Sequence, residues 1–296
     1  MFRPGLHFRI SRPRFWIYLL GPYLLGVAAA VETAGDLLRH DPVVFLLFAV
    51  YFLFPANLLV YGINDLYDEE TDRLNPKKSG YEVLVAMEER WPLKLAIFSV
   101  NLPFALLALY LEPAAAIALG LFFFFSIFYS APPIRAKTIP ILDSTFNVLY
   151  IFPGIFSFLM ITGYWPPLTV VLAGWLWTMA MHAFSAVPDI TADRQAGIAT
   201  VATLLNRNGT IVLCSALYSA AAVLAFPYLG SLAVILGGAY IVMMAVSLKQ
   251  QDEASVFSVY KWFPLVNAAA GFAIFWYIFL PKTIQSASSG PAVLMP

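Results

Sequence analysis

The sequence predicts an all-α integral membrane protein with about nine transmembrane helices, arranged as two four-helix halves plus one further helix. The chain is 61% hydrophobic and 11% charged, with a mean hydropathy of +0.79, whereas soluble domains carry about 25% charged residues. The apolar residues fall in blocks of about 20 residues, a length that crosses a hydrocarbon layer of roughly 30 Å. Because lipid offers no partner to an unpaired backbone group, these blocks are expected to form helices.

The apolar blocks predict the position of each span, and the whole chain, residues 1–296, is expected to form a single membrane-embedded domain. Outside the spans we expect a cytoplasmic amino-terminal segment (1–14), two cytoplasmic motif loops (62–90 and 188–208) and a flexible tail (284–296). The single cysteine, Cys214, allows no intrachain disulfide. The predicted spans are Phe15 to Val31, Val43 to Tyr61, Trp91 to Leu111, Ala114 to Ser130, Leu142 to Thr162, Leu168 to Val187, Thr210 to Phe226, Leu229 to Leu248 and Trp262 to Leu280.

The distribution of Lys and Arg predicts the orientation, because these residues concentrate in cytoplasmic loops. With the amino terminus in the cytoplasm, only Arg39 and Lys282 of the 17 basic residues fall on the outer side. The carboxyl terminus is then outside, and both acidic clusters described next are cytoplasmic. Each cluster follows the second helix of a four-helix set, which indicates a structural repeat. The cytoplasmic basic residues are Arg3, Arg9, Arg12, Arg14, Arg73, Lys77, Lys78, Arg90, Lys94, Arg135, Lys137, Arg194, Arg207, Lys249 and Lys261.

The first acidic cluster is N-D-L-Y-D-E-E-T-D, which runs from Asn64 to Asp72. If the helix of the second span continued, Asp65, Asp68 and Asp72 would share one face, since they are spaced i, i+3, i+7. Such carboxylates repel one another unless cations lie between them, and Mg²⁺ accepts carboxylate oxygens while bridging to substrate phosphates. The cluster therefore predicts a Mg²⁺ site.

The second acidic cluster, P-D-I-T-A-D-R, places Asp189 and Asp193 at i, i+4 on the same side of the membrane. Two acidic faces at one depth are suited to hold Mg²⁺ around a diphosphate. The alternative is a solvated acidic loop, which is what most runs of charge are.

Basic residues flank both clusters and are candidate ligands for diphosphate oxygens. The alternative for each is the general excess of positive charge in cytoplasmic loops. The candidates are Arg73, Lys77, Lys78, Arg135, Lys137 and Arg194.

Mg²⁺ and a diphosphate at the mouth of an apolar bundle favour ionisation of an allylic C–O bond, with aromatic rings stabilising the cation. Each candidate ring has ordinary packing as its alternative. His182 is a candidate base, although a lone membrane histidine more often serves a helix contact. Asp143 either supports the site or caps a helix. The candidate rings are Tyr61, Tyr67, Tyr129, Trp177 and Phe184.

These motifs resemble the UbiA superfamily of intramembrane prenyltransferases, which has N-D-x-x-D-x-x-x-D, a later D-x-x-x-D, an intervening Y-S-x-P-P-x-R-x-K and nine helices. The intervening stretch here is Y-S-A-P-P-I-R-A-K, from Tyr129 to Lys137. The resemblance covers essentially the whole chain. The phrases N-D-L-Y-D-E-E-T-D-R-L-N-P-K-K and H-A-F-S-A-V-P-D-I-T-A-D-R-Q-A-G-I are most similar to the lycopene elongase branch of C50 carotenoid pathways.

The resemblance implies a Mg²⁺-dependent prenyltransferase in which the five aspartates bind Mg²⁺-diphosphate, assisted by Asn64, Arg135 and Lys137. The implied donor is dimethylallyl diphosphate, and the implied acceptor is lycopene in membrane lipid, with no nucleic-acid partner. Phe184 and Pro188 depart from the pattern of members with aromatic acceptors. A quinone precursor, a chlorophyll-type ring and a glycerol phosphate lipid remain alternative acceptors. A cation or lipid transporter is a more distant alternative. Its acidic residues would lie near the bilayer midplane, whereas those of this sequence are expected at one membrane interface.

Overall fold

The computed structural model describes residues 4–38, 40–67 and 85–288, and this part of the chain is helical without strands. It contains fourteen α-helices, which confirms the all-α prediction. In chain order they are α1 (Pro4–Ile10), α2 (Ile17–Ala30), α3 (Pro42–Leu53), α4 (Pro55–Tyr67), α5 (Arg90–Ala108), α6 (Pro113–Ser130), α7 (Leu142–Thr145), α8 (Phe152–Thr162), α9 (Leu168–Ala186), α10 (Ile190–Gln195), α11 (Val201–Leu229), α12 (Ser231–Leu248), α13 (Glu253–Tyr260) and α14 (Phe263–Ser288).

Seven stretches of the described chain are long and apolar enough to cross a membrane, and a bent pair of helices makes an eighth. This confirms a protein with many spans. The count of nine is not reached by length, because the first predicted span, Phe15 to Val31, corresponds to α2 with only 14 residues.

Two of the predicted spans are broken helices. The second span divides at Phe54 into α3 and α4, because Pro55 begins a new helix and disfavours the helical conformation of the residue before it. The fifth span consists of α7, a 3₁₀ helix (Phe146–Tyr150) and α8, with a bend of 40°. Both breaks lie in the helices that support the polar end of the bundle.

The ends of several segments differ from the sequence prediction. Helix α1 lies within the amino-terminal segment 1–14, and α14 continues to Ser288, inside the predicted tail 284–296. The predicted loop 188–208 contains α10 and the start of α11, which is kinked at Asn206 (φ 60°, ψ 174°). A polar helix that packs beside a membrane surface has no long apolar run, so hydropathy alone does not find it.

Two groups of buried apolar side chains form the core. One group joins α2 to α6 with α8, and includes Phe48, Phe52 and Phe156. The other joins α9 to α14, and includes Phe184 and Tyr218. The polar site described below lies where the helices of the two groups meet at one end of the bundle.

Close packing of α2 on α8 depends on glycine. A Cβ on Gly26 would lie 2.1 Å from the carbonyl oxygen of Gly154 and 2.2 Å from Oγ of Ser157. The Ser157 hydroxyl also donates to the carbonyl oxygen of Tyr23 at 2.7 Å. Small residues allow two helix backbones to approach in a membrane protein, where packing rather than water exclusion holds helices together.

At the end of the bundle opposite the polar site, Lys282 links α14 to α2. Its Nζ donates to the carbonyl oxygens of Ala28, Ala29 and Val31 at 2.8, 3.2 and 2.5 Å. These carbonyls form the end of α2, where unpaired acceptors and the helix dipole favour a cation.

Candidate active site

The first acidic motif begins in the last turn of α4. Asn64 Nδ2 donates to Oγ of Ser130 at 3.2 Å, which joins this motif to the Y-S pair at the end of α6. Asp65 is buried, with 5% of its surface exposed. Asp68 and Asp72 lie outside the described residues, as do the candidate ligands Arg73, Lys77 and Lys78.

Asp65 is paired with Arg12, a residue that the sequence analysis counted only among the cytoplasmic basic residues. Nη2 of Arg12 lies 2.8 Å from Oδ1 of Asp65, and the guanidinium lies 4.8 Å from the ring centroid of Tyr61. Arg12 has a φ of 52° and directly precedes Pro13, which begins a 3₁₀ helix. A signal for its role was available in S-R-P-R-F-W, where the proline fixes a turn just before the first span.

The intervening motif forms the connection between α6 and α7. Arg135 has a φ of 49°, and its Nη2 donates to the carbonyl oxygen of Tyr67 at 3.1 Å. Its Nε is buried and has no hydrogen-bond partner within the described residues. Arg135 is thus held at the end of α4, beside the point where the first motif continues.

Lys137 links the two acidic motifs. Its ammonium interacts electrostatically with Asp65 of the first motif and with Asp193 of the second. Burial lowers the pKa of Lys137 to about 7, while these two carboxylates raise it. Because Asp65 lies on α4 and Asp193 on α10, the ends of these distant helices converge on one cation. Water and salt screen the interaction between distant charges, so the three groups lie at the same end of the bundle.

The second acidic motif lies where α9 gives way to α10. Asp189 ends a 3₁₀ helix (Val187–Asp189), and Asp193 lies in α10. Arg194 is turned toward α11, where its Nη2 donates to the carbonyl oxygen of Thr203 at 2.9 Å and to Oδ1 of Asn206 at 2.6 Å. The role of Arg194 as a diphosphate ligand therefore stays a prediction.

Beside these motifs lies a polar group formed by the buried Asp143 and the partly buried Tyr129 and His182. Nε2 of His182 lies 3.4 Å from the Tyr129 hydroxyl and 3.8 Å from Oδ2 of Asp143. Asp143 is fully buried, and its Oδ2 accepts a hydrogen bond from the backbone N–H of Val201 at 2.9 Å. The sequence predicts that Asp143 either supports the site or caps a helix. It pairs with the first backbone N–H of α11, whose N-cap residue is Thr200, and it also faces the candidate base.

Aromatic rings continue from the carboxylates into the bundle. The ring of Phe15 lies 5.9 Å from Tyr61 and 5.8 Å from Tyr18, and Tyr18 lies 6.1 Å from Tyr150. Phe184 instead packs on Phe263 at 5.3 Å with no exposed surface, which is a core position. Of the candidate rings, Tyr61 and Tyr129 therefore lie beside the polar residues.

The donor chemistry of the described residues fits a hard divalent cation. Asp65, Asp189 and Asp193 supply carboxylate oxygens, the ligands that Mg²⁺ prefers. Within residues 4–38, 40–67 and 85–288, no three His, Cys, Asp or Glu side chains are grouped closely enough to hold a metal ion. Asp68 and Asp72 are not part of that range.

The chain is similar to known proteins over nearly its whole length. Residues 19–267 match the UbiA prenyltransferase family. The chain is 40% identical over 269 residues to the lycopene elongase/hydratase of Haloferax volcanii, a match that covers 90% of this chain and 85% of that protein. It is 41% identical over 272 residues to the lycopene elongase/hydratase of Haloarcula japonica, which covers 90% of this chain and 88% of the relative.

The fold is similar to that of a solved UbiA homologue from Archaeoglobus fulgidus bound to DMAPP and Mg²⁺. The TM-score is 0.61 at 19% sequence identity, and the match covers 91% of this chain and 99% of the homologue. At this identity the structural similarity supports the fold alone, whereas the family match and the two relatives show similarity of sequence as well. The chain belongs to the UbiA prenyltransferase family and is an integral membrane prenyltransferase.

Proposed function

We propose that this enzyme transfers a dimethylallyl group from dimethylallyl diphosphate to each end of lycopene, with Mg²⁺ as the cofactor. Two relatives that are 40% and 41% identical are lycopene elongase/hydratases, and a structural neighbour binds DMAPP and Mg²⁺. The observation that supports the proposal is the electrostatic interaction of Lys137 with both Asp65 and Asp193, which are one residue from each acidic motif.

The diphosphate end of the donor is bound by charge. Asp65, Asp189 and Asp193 would hold Mg²⁺ together with Asp68 and Asp72, which lie outside the described residues. Bound Mg²⁺ would neutralise the leaving diphosphate, so that an allylic C–O bond can ionise. Lys137 and the Nε of Arg135 would donate to diphosphate oxygens that the metal leaves open. Arg73, Lys77, Lys78 and Arg194 are further candidates for this role.

The reacting carbon then lies against aromatic rings. Tyr61, with Phe15 and Tyr18 behind it, borders the Asp65 end of the site. Ring faces stabilise a developing allylic cation, and the surrounding apolar helices exclude water that would quench it. This arrangement suits an acceptor with no groups to hydrogen-bond, such as a polyene.

The finer membrane arrangement is also proposed. We infer nine spans in two four-helix halves plus one, with α2 crossing as a short span continued by a 3₁₀ helix (Pro13–Phe15). The amino terminus and both acidic motifs face the cytoplasm, and the carboxyl terminus lies outside. The polar site and Lys282 lie at opposite ends of the bundle, which supports this polarity.

The proposal is tested by expressing the chain in cells that accumulate lycopene and analysing the pigments by mass spectrometry. The expected result is new C45 and C50 carotenoids, formed by one and two transfers. Asp65→Asn should leave lycopene unchanged, whereas Glu112→Gln, an exposed position at the start of α6, should behave like the wild type. Unchanged lycopene together with a prenylated aromatic compound would contradict lycopene as the acceptor and would indicate an aromatic acceptor instead.

A further inference from the structure

The polar group at Asp143 is not explained by helix capping alone. Its Oδ2 satisfies the Val201 N–H, but its Oδ1 is buried and has no hydrogen-bond donor within the described residues. A buried carboxylate oxygen without a donor is destabilising, because it has lost its hydrogen bonds to water without replacing them. Oδ1 of Asp143 therefore lies beside the active site as an acceptor for a hydrogen bond from a bound molecule.

His182 lies close to the carboxylate that carries this oxygen. Its Nε2 lies 3.8 Å from Oδ2 of the same carboxylate, so a proton gained by the imidazole would be stabilised by a fixed negative charge. Its Nε2 also lies 3.4 Å from the Tyr129 hydroxyl, and the two rings meet edge to face at 5.8 Å. His182 is held by α9, Tyr129 by α6 and Asp143 by α7, so three elements fix the geometry.

This group lies beside the reacting centre. Tyr129 directly precedes Ser130, the partner of Asn64, and the charge of Asp189 acts on His182. The Asp143–His182 pair therefore lies near the diphosphate site, but it is not needed to balance the charge of the diphosphate. Lys137 and Arg135 supply positive charge there.

We propose that Asp143 and His182 hold and deprotonate a water molecule that adds to the carbocation left on the acceptor after prenyl transfer. The inference rests on the proposed function. The water donates one hydrogen bond to Oδ1 of Asp143 and the other to Nε2 of His182, which leaves an oxygen lone pair for attack. A dry aromatic pocket excludes adventitious water, so hydration needs a water that is held in place.

The reaction has two steps, prenyl transfer and then addition of water. The terminal double bond of the acceptor forms a C–C bond to the allylic carbon while the C–O bond to diphosphate breaks, which leaves a tertiary cation on the acceptor. The water oxygen then forms a C–O bond to that cation, and a water proton passes to Nε2 of His182. The products are a tertiary alcohol, diphosphate and an imidazolium ion paired with Asp143. His182 acts as the base and Asp143 as a positioning residue.

The experiment is an assay of the full-length protein in membranes with dimethylallyl diphosphate, lycopene, Mg²⁺ and H₂¹⁸O. The readout is the fraction of elongated carotenoid that carries ¹⁸O. The wild type should incorporate one label per added unit. His182→Phe and Asp143→Asn should each lower the labelled fraction of the elongated product by at least about tenfold.

The choice of substitutions and one further variant separate chemistry from structure. Asparagine at position 143 keeps an oxygen for the Val201 N–H, so Asp143→Asn preserves the cap while removing the charge. His182→Phe leaves that cap untouched. Thr178→Val, one turn away on α9 with its hydroxyl bonded to the Trp175 carbonyl, should keep the labelled fraction of the wild type.

Three outcomes would overturn the inference while leaving prenyl transfer intact. They are a wild-type product without label, an unchanged labelled fraction in both variants, and a raised fraction, which would assign His182 to removal of a carbon-bound proton. Absence of any elongated carotenoid from the wild type would overturn the proposed function and this inference together.

Discussion

At the scale of single residues, the pairing of Arg12 with Asp65 balances the charge of one carboxylate of the site. The Asp65 side chain is 2% exposed and that of Arg12 is 14% exposed. A buried carboxylate in this position requires a counter-charge, and Arg12 provides one within the protein. Mg²⁺ would provide another, so bound Mg²⁺ is expected to stabilise the Asp65 carboxylate when Arg12 is removed.

The first prediction concerns Arg12→Met. Removal of the guanidinium leaves Asp65 buried without this partner, which should destabilise the metal-free protein by about 1–3 kcal/mol, less than for a fully buried pair. Mg²⁺ at millimolar concentration should raise the melting temperature of Arg12→Met more than that of the wild type, because binding to the folded state alone stabilises it. Thermal unfolding in detergent micelles measures both effects.

The exposed Arg9→Met variant is the matched control and should melt like the wild type with and without Mg²⁺. An equal Mg²⁺ response in Arg12→Met and the wild type would contradict this account of the ion pair.

The second prediction concerns the pH dependence of diphosphate binding through Lys137. Burial lowers the pKa of this lysine to about 7, below its value in the unfolded chain. Above pH 7 the ammonium loses its proton, so the affinity for an anion should fall, by at most about tenfold per pH unit. Lys137→Arg keeps its charge throughout this range, and its affinity should therefore vary less with pH.

The measurement is the dissociation constant of dimethylallyl thiodiphosphate, a stable donor analogue, between pH 6.5 and 8.5 in the presence of Mg²⁺. Lys94→Arg, on an exposed part of α5, should retain the wild-type profile. A wild-type affinity that rises with pH above 7 would contradict the assignment.

Much of the site could be predicted from residue types and spacing. Asn64, Asp65, Lys137 and Asp193 come together at one end of the bundle, as their motifs indicate. Arg12 was missed because its partner is 53 positions away, and because it is one of several arginines before the first span, which is normal in a cytoplasmic segment. Spacing rules identify residues that share a helix face, but they do not identify contacts between distant segments.

At the scale of elements, hydropathy located the spans better than it located their breaks. The second span was predicted as a single helix, whereas Pro55 divides it into α3 and α4. Hydropathy averages over a window, so two helices in series score like one. Local signals such as Pro55 carry the missing information. The short helices α1 and α10 were not found for the related reason that they are too short to give an apolar block.

The third prediction concerns the contact of α2 with α8. Gly26→Ala places a methyl group 2.1 Å from the Gly154 carbonyl oxygen, so the helices must separate and the Ser157–Tyr23 hydrogen bond must lengthen. The expected loss of stability is about 3 kcal/mol, the upper end of the range for overpacking. Thermal unfolding followed by tryptophan fluorescence measures it.

Gly120→Ala is the matched control, because a Cβ at this exposed position in α6 meets no atom within 4 Å. Alanine favours a helix over glycine by about 1 kcal/mol, so this variant should be as stable as the wild type or more stable. If Gly26→Ala melted with the wild type, the close approach of α2 and α8 would be refuted.

At the scale of the whole molecule, the bundle brings two acidic motifs to one end from separate groups of helices. Asp65 belongs to the helices that pack around Phe48 and Phe156, whereas Asp193 belongs to those around Phe184 and Tyr218. Neither group alone contains the site. A diphosphate held by Mg²⁺ between these motifs would therefore join the two groups as well as react there.

The fourth prediction addresses that convergence through the binding of dimethylallyl thiodiphosphate to the purified protein by calorimetry. The wild type should bind only with Mg²⁺. Asp65→Asn and Asp193→Asn should each weaken binding by at least about thirtyfold, the loss expected when one member of a charge cluster is removed. Mg²⁺-independent binding, or wild-type affinity in Asp193→Asn, would contradict the claim that both motifs hold one metal-bound diphosphate.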